Sequence, residues 1–285
     1  MKRILFILSI VCASSVYGQQ SAFQVNVYGK GEPVILIPGY GCSGEVWKQT
    51  VESLKNKYQL HVLTLAGFAG VPPIDTPVLS TVKDQLLEYV KTNHLHKPVL
   101  IGHSLGAFVC LWAASEDPSL FSKVLCVDGV PFLAGMSHPG ITAGQLKNDP
   151  SFNAAAMAAK FLQMTDKAFE AQQFKNTLAL VSDTSHARLI TTWSMESDRK
   201  TLGYSYAEMY TTDLRNALSS IDIPVLVIGS NYGTVALSKT MLNQQFSALR
   251  DKAIIIANTR HFIMYDNPVW FNSQVKNFLV NGLYN

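Results

Sequence analysis

Pro98-Val99-Leu100-Ile101-Gly102-His103-Ser104-Leu105-Gly106-Ala107-Phe108 is the stretch on which the architecture turns. It opens with an apolar run that ends at Gly102, the pattern of a strand covered on both faces. From about Ser104 to Ser115 the pattern is helical. Between the two, Gly102-His-Ser-Leu-Gly106 fits G-x-S-x-G in the strand–turn–helix setting that this motif requires. The reason is geometric. The chain must reverse so sharply that Ser104 takes a strained backbone conformation and lifts its hydroxyl above the sheet, and the flanking glycines leave room for the turn. A helix that starts at once aims the Leu105 amide and the positive end of its dipole at negative charge developing beside that hydroxyl.

Outward from this point, strand and helix patterns alternate. Residues 23–28 alternate with period two. Continuous apolar runs follow at 33–38, 60–65, 123–128, 224–229 and 253–257. Helical patterns fall at 44–58, 81–93, 235–246 and 268–280. Strands separated by helices imply βαβ units, hence an α/β fold with a mostly parallel sheet. Residues 131–220 break the alternation. They hold no buried-strand run and are rich in Ala, Met, Phe, Gln and Thr, so they predict several amphipathic helices forming a lid over the sheet. The expected organisation is a core in two parts, 19–130 and 221–285, around a lid at 131–220.

The chain has 285 residues, 48% hydrophobic and only 15% charged, which excludes an intrinsically disordered protein. Net charge is +3 with no Lys/Arg cluster, so nucleic acid is not an expected partner. Lys2 and Arg3, an apolar run at 4–12 interrupted only by Ser9, and Val16 and Gly18 at −3 and −1 read as a signal peptide over 1–18. That run is too short to span a bilayer, and no later run is long enough. The expected mature protein is soluble and secreted or periplasmic, cut near Gly18. Cys12 leaves with the signal. Cys42, Cys110 and Cys126 remain, an odd number without C-x-x-C spacing, and the last two lie in apolar stretches that suit buried thiols.

On these motifs the chain resembles the α/β-hydrolase family over nearly all of its mature length. The resemblance implies a mostly parallel sheet of about eight strands, a helical lid inserted after the sixth, and a nucleophile, acid and histidine with the histidine last. His261 matches that histidine, because it follows the last strand after the short loop Asn258-Thr259-Arg260. Ile37-Pro38-Gly39-Tyr40-Gly41 resembles the family's oxyanion loop, with Pro-Gly where many members have His-Gly, and the amides of Tyr40 and Leu105 would hold an oxyanion. The implied activity is a serine hydrolase cleaving a small apolar ester through an acyl-enzyme, with no metal or organic cofactor. A lactonase, an aminopeptidase or a carbon–carbon bond hydrolase shares the same catalytic set. A binding module that has lost catalysis shares the fold, although its usual mark, loss of the serine or the histidine, is not seen. Met164 and Trp193, in the Met- and aromatic-rich lid, are expected to line an apolar pocket.

The acid departs from the commonest family pattern. Most members carry it just after the seventh strand, here 225–228, yet no Asp or Glu occurs from Ile223 through Arg250. Asp128, at the end of the preceding strand, is the expected triad acid, as in some lipases of this fold. Asn231, Asp213 and Asp266 are the alternatives.

Overall fold

The computed structural model describes residues 20–149 and 153–283. The signal peptide expected at 1–18 lies outside the described residues. Seven strands form one sheet among them: β1 Phe23–Tyr28, β2 Glu32–Ile37, β3 Tyr58–Leu65, β4 Val99–His103, β5 Lys123–Val127, β6 Val225–Gly229 and β7 Lys252–Ile256. Their order is β1-β3-β2-β4-β5-β6-β7, with β1 antiparallel to β3 and every other pair parallel. The sheet thus has seven strands where the resemblance implied about eight. The sequence itself carries seven strand-like runs, and the helical insertion follows the fifth of them.

Side chains on the central strands go alternately to the two faces, as the period of a pleated strand requires. Ile35, Ile37, Leu100, Val124 and Val225 join one apolar cluster; Val34, Leu36, Ile101, Leu125 and Leu226 join the other. Helices α2 Val78–Thr92 and α3 Leu105–Glu116 cover the first face, and α1 Lys48–Leu54 and the closing helix Pro268–Asn281 cover the second. Both faces of the middle strands are therefore dry, which is why they read as unbroken apolar runs. Helix α3 is apolar nearly all round, as a helix enclosed on all sides must be. The single helix expected at 44–58 is instead a 3-10 turn, Gly44–Trp47, followed by α1, and β3 already begins at Tyr58.

Between β5 and β6 the described chain is helical: α4 Ala134–Ser137, α5 Ala143–Lys147, α6 Ala154–Gln163, α7 Asp166–Leu180, α8 Thr184–Glu196, α9 Arg199–Thr211 and a 3-10 turn Ala217–Ser220. Polar side chains mark the helix starts. Thr165, Asp183 and Asp198 each accept a hydrogen bond from an amide in the first turn of the helix that follows. The insertion is tied to the core at several points. The Glu208 carboxylate of α9 accepts from the amides of Leu79 (2.9 Å) and Ser80 (2.7 Å), capping α2 from outside. The Asp198 amide donates to Gly67 O (2.8 Å), and Tyr40 Oη donates to Leu202 O (2.9 Å). After β6 come α10 Val235–Gln245, then β7, α11 Ile263–Asp266 and the closing helix α12 Pro268–Asn281.

The start of α3 presses against the end of β2. A Cβ on Gly106 would sit 2.3 Å from Ile37 O and 2.5 Å from Pro38 O, both rigid backbone atoms. A Cβ on Gly102 would sit 2.3 Å from Gly106 O. The motif glycines are thus demanded by close approach of backbone to backbone. Replacing Gly106 with Val is expected to lower unfolding free energy by about 3 kcal/mol or to prevent folding, at the upper end of overpacking costs. Urea unfolding of the two proteins checks it; near-equal midpoints would contradict the packing.

Candidate active site

Ser104 occupies the turn between β4 and α3 with φ 52° and ψ −117°, a conformation that non-glycine residues adopt only when their surroundings impose it. What imposes it here is the Gly102–Gly106 crossing together with the Ser104 amide, which donates to Val127 O at 2.8 Å. The amide of Leu105 is the first of α3, one of the four that a helix leaves without an intrahelical acceptor.

Asp128 follows β5, also at positive φ (44°), and is 4% exposed. Its carboxylate accepts four hydrogen bonds. His261 Nδ1 donates to Oδ2 at 2.6 Å, Ser230 Oγ to Oδ2 at 2.8 Å, the Ser230 amide to Oδ1 at 2.6 Å and Tyr232 Oη to Oδ1 at 2.7 Å. Burial pushes this carboxyl up, but the bond and charge of His261, then Tyr232 and the Ser230 amide, outweigh it and hold the group below its ordinary value. Tyr232 is pushed the other way, by burial and by the Asp128 charge, so its phenol keeps the proton it donates. An ionised carboxylate only accepts, so His261 carries its proton on Nδ1, and its neutral ring has the lone pair on Nε2.

His103, the variable position of the motif, is fully buried, and its ring centroid lies 4.6 Å from that of His261. Its Nε2 bonds the His261 carbonyl oxygen at 3.1 Å. A carbonyl only accepts, so Nε2 bears the hydrogen, and Nδ1 is left buried without a partner. Burial, then the neighbouring His261 charge, push the His103 pKa down to about 3. His103 thus holds the backbone of His261 and stays neutral.

Ser104, Asp128, His261, Tyr40 and His103 all line one cavity of about 570 Å³. No hydrogen bond joins Ser104 Oγ to His261 among the described residues; such contacts commonly tighten only around substrate. The alternatives to Asp128 lie elsewhere. Asn231 donates from Nδ2 to Asn258 Oδ1 (3.0 Å), Asp213 pairs with Arg215 (2.6 Å) and Asp266 accepts from the amides of Ser182 and Arg260. The pocket expectation needs correcting. Neither Met164 nor Trp193 lines the cavity. Ile190 and Ser194, four apart, form the cavity face of α8; Trp193 falls on the flank of that face and packs into the apolar cluster around Phe271. Met164 ends α6, where its carbonyl accepts from Arg199 Nη1 at 2.6 Å. The insertion reaches the cavity instead through Leu133, Met136, Ile190, Tyr206 and Met209. Sequence reading did not single out Ser230 and Tyr232. The signal for them was the loop itself, Gly229-Ser-Asn-Tyr, which lacks the usual acid and supplies donors in its place.

Fold and site together define a hydrolase, and comparison with known proteins agrees. A family model described as the alpha/beta hydrolase family matches residues 34–274, and the chain belongs to that family. It is 27% identical over 203 residues to a pimeloyl-[acyl-carrier protein] methyl ester esterase of Vibrio campbellii, covering 70% of this chain and 75% of the relative. To the Vibrio parahaemolyticus protein of the same name it is 26% identical over 257 residues, covering 88% and 95%. Among solved structures, the enol-lactonase of Burkholderia xenovorans superposes with a TM-score of 0.75 at 13% identity, covering 91% of this chain and 96% of the other. A hydrolase of Pseudomonas aeruginosa gives 0.73 at 19%, covering 90% and 94%.

Two outcomes are expected. Asp128→Asn should fold yet lower kcat on an activated ester by about three to four orders of magnitude, because the amide no longer fixes the imidazole tautomer. Asn231→Ala should change it by about tenfold or less, and the reverse ranking would move the acid to Asn231. The second concerns pH. Below 6.5 the unfolded chain protonates His103, which the folded chain does not do until about 3, so stability falls as pH drops through this window. Its slope is at most about 1.4 kcal/mol per pH unit from this ring. Unfolding free energies between these pH values should depend less steeply on pH in His103→Gln.

Proposed function

We propose that this protein is a serine carboxylesterase acting on a small, largely apolar ester through an acyl-enzyme. The observation that carries the reading is the 2.6 Å bond between Asp128 and His261 in the same cavity as the strained Ser104. Ser104 Oγ attacks the carbonyl carbon while His261 Nε2 takes its proton. The amides of Leu105 and Tyr40 hold the oxyanion, and His261 returns the proton to the leaving alcohol. Water, deprotonated by His261, then attacks the acyl carbon and frees Ser104. Asp128 keeps the ring oriented and stabilises the imidazolium.

The apolar side chains Leu133, Met136, Ile190 and Met209 along the cavity support an apolar acyl group, and the helices that bring them support a lid role for the insertion. The names of the Vibrio relatives favour an ester over an amide. We further propose export, with removal of residues 1–18; among the described residues no helix is long and apolar enough to cross a membrane. Mass spectrometry of the protein recovered outside the cytoplasm would show the new N-terminus at Gln19, and an intact Met1 start there would refute cleavage.

A fluorophosphonate probe tests the nucleophile: wild type should label and Ser104→Ala should not, whereas a folded wild type that stays unlabelled favours a binding module. A p-nitrophenyl ester series tests the lid. Met209→Ala should shift the ratio of kcat/KM for octanoate to that for acetate by about tenfold, the scale of a few methylenes in an apolar pocket. An unchanged ratio would remove Met209 from the acyl site.

A further inference from the structure

We propose that Tyr232 is a positioning residue of the reaction: its phenol fixes Asp128 against His261, shares the negative charge of that carboxylate, and so sets the pH below which the base is lost. This rests on the reading of Ser104 and His261 as nucleophile and base.

The two oxygens of Asp128 have separate partners. Oδ2 accepts from His261 Nδ1 at 2.6 Å and Ser230 Oγ at 2.8 Å; Oδ1 accepts from the Ser230 amide at 2.6 Å and Tyr232 Oη at 2.7 Å. These bonds fill the roughly four acceptor sites of a carboxylate. Tyr232 and His261 line the cavity, whereas Ser230 is 2% exposed and does not. Tyr232 is therefore the donor that meets both the acid and the cavity without itself moving a proton.

Its place does not depend on the bond it makes. The Tyr232 amide donates to the buried Ser238 Oγ (2.7 Å), which donates on to Thr234 O (2.9 Å), and the Asn231 amide donates to Thr259 O (3.2 Å). The loop after β6 is thus fastened to α10 and to the loop after β7 by its backbone. Removing the phenol oxygen removes one hydrogen bond and leaves the loop held.

The direction of the effect follows from charge. A donor on Oδ1 stabilises the ionised carboxylate, which then attracts an imidazolium less strongly. Without that donor the Asp128–His261 pair takes up a proton more readily, whichever of the two carries it. A pair already loaded with that proton cannot accept the one from Ser104, so activity should be lost at a higher pH. The neighbouring groups do not blur this. His103, from β4, is pushed down to about 3 by burial and then by the His261 charge, and Cys126, on β5, is pushed up by burial. Burial and the Asp128 charge push Tyr232 itself well up, so it stays a donor throughout. Arg260 Nη1 donates to Leu178 O and Val181 O, and Asp266 accepts from the amides of Ser182 and Arg260; a change at Tyr232 leaves both charges in place.

The pH dependence of kcat/KM on p-nitrophenyl acetate tests this, because its acid limb reports the base of the free enzyme. In Tyr232→Phe the limb should move up by about half a pH unit or more, the scale of one hydrogen bond to a charged group. Turnover on the plateau should fall by about tenfold or less. Asn231→Ala disturbs the same loop without touching Asp128 and should leave the limb where the wild type has it. A fluorotyrosine placed at position 232, a stronger donor of nearly the same shape, should move the limb down, and it keeps the test open if Tyr232→Phe does not fold. A limb that stays or falls in folded Tyr232→Phe, even with turnover reduced at every pH, makes the phenol a structural group only and overturns the proposal. So does a limb that the fluorotyrosine leaves or raises, or one that rises equally in Asn231→Ala. Each of these outcomes leaves the esterase reading standing. A wild type that neither cleaves the ester nor reacts with the fluorophosphonate takes that reading down, and this proposal with it.

Discussion

A buried carboxylate with four donors ties together the ends of three neighbouring strands. Asp128 leaves β5, Ser230 and Tyr232 leave β6, and His261 leaves β7. Such a charge is tolerable in a dry interior only when its acceptor sites are filled. The arrangement has a structural consequence beyond Asp128 itself. The loops after β6 and β7 must come to it, so His261 is delivered to the cavity wall by the same bonds that stabilise the carboxylate. The loop after β6, where the family resemblance led to an acid being expected, here supplies the donors to Asp128, the proposed acid, one strand earlier.

The second constraint is steric. The β4–α3 turn stores strain at Ser104, and the strain persists because the backbone of β2 and the first turn of α3 occupy the space on either side. His103 extends the same logic. It is fixed under the turn and bonds the carbonyl of His261, so the residue beside the proposed nucleophile sets the position of the proposed base. Its burial keeps it uncharged, and a second cation next to His261 is avoided.

The helical insertion is bound to this scaffold through backbone groups and not through apolar packing alone. Glu208 caps α2, the Gly67 carbonyl receives Asp198, and Arg260 Nη1 donates to Leu178 O (2.7 Å) and Val181 O (2.9 Å). The last of these joins α7 to the residue next to His261. Helix α7 is therefore held in a defined relation to the base. The loop 66–70 docks the α8–α9 junction: the Ala69 amide donates to Ser197 Oγ and the Gly70 amide to Glu196 O.

The seven strand runs and the turn bearing Ser104 could be read along the chain, as could the candidates Asp128 and His261, which the structure brings within 2.6 Å of each other. Each depends on local rules: unbroken apolar runs for covered strands, glycines where backbones cross, and one loop in which the expected acid is missing. The number of strands was overcounted by one because that count came from resemblance, while the strand-like runs themselves, six apolar and one alternating, number seven. The lining of the cavity was a matter for the tertiary structure. Met164 and Trp193 have the composition of pocket residues, but which side of a helix faces a cavity depends on how it is rotated against its neighbours. That rotation turned Ile190 and Ser194 inward and sent Trp193 into the core. The bonds of Ser230 and Tyr232 were equally out of reach, because whether a serine or a tyrosine finds a partner depends on residues far away in sequence that only folding brings near.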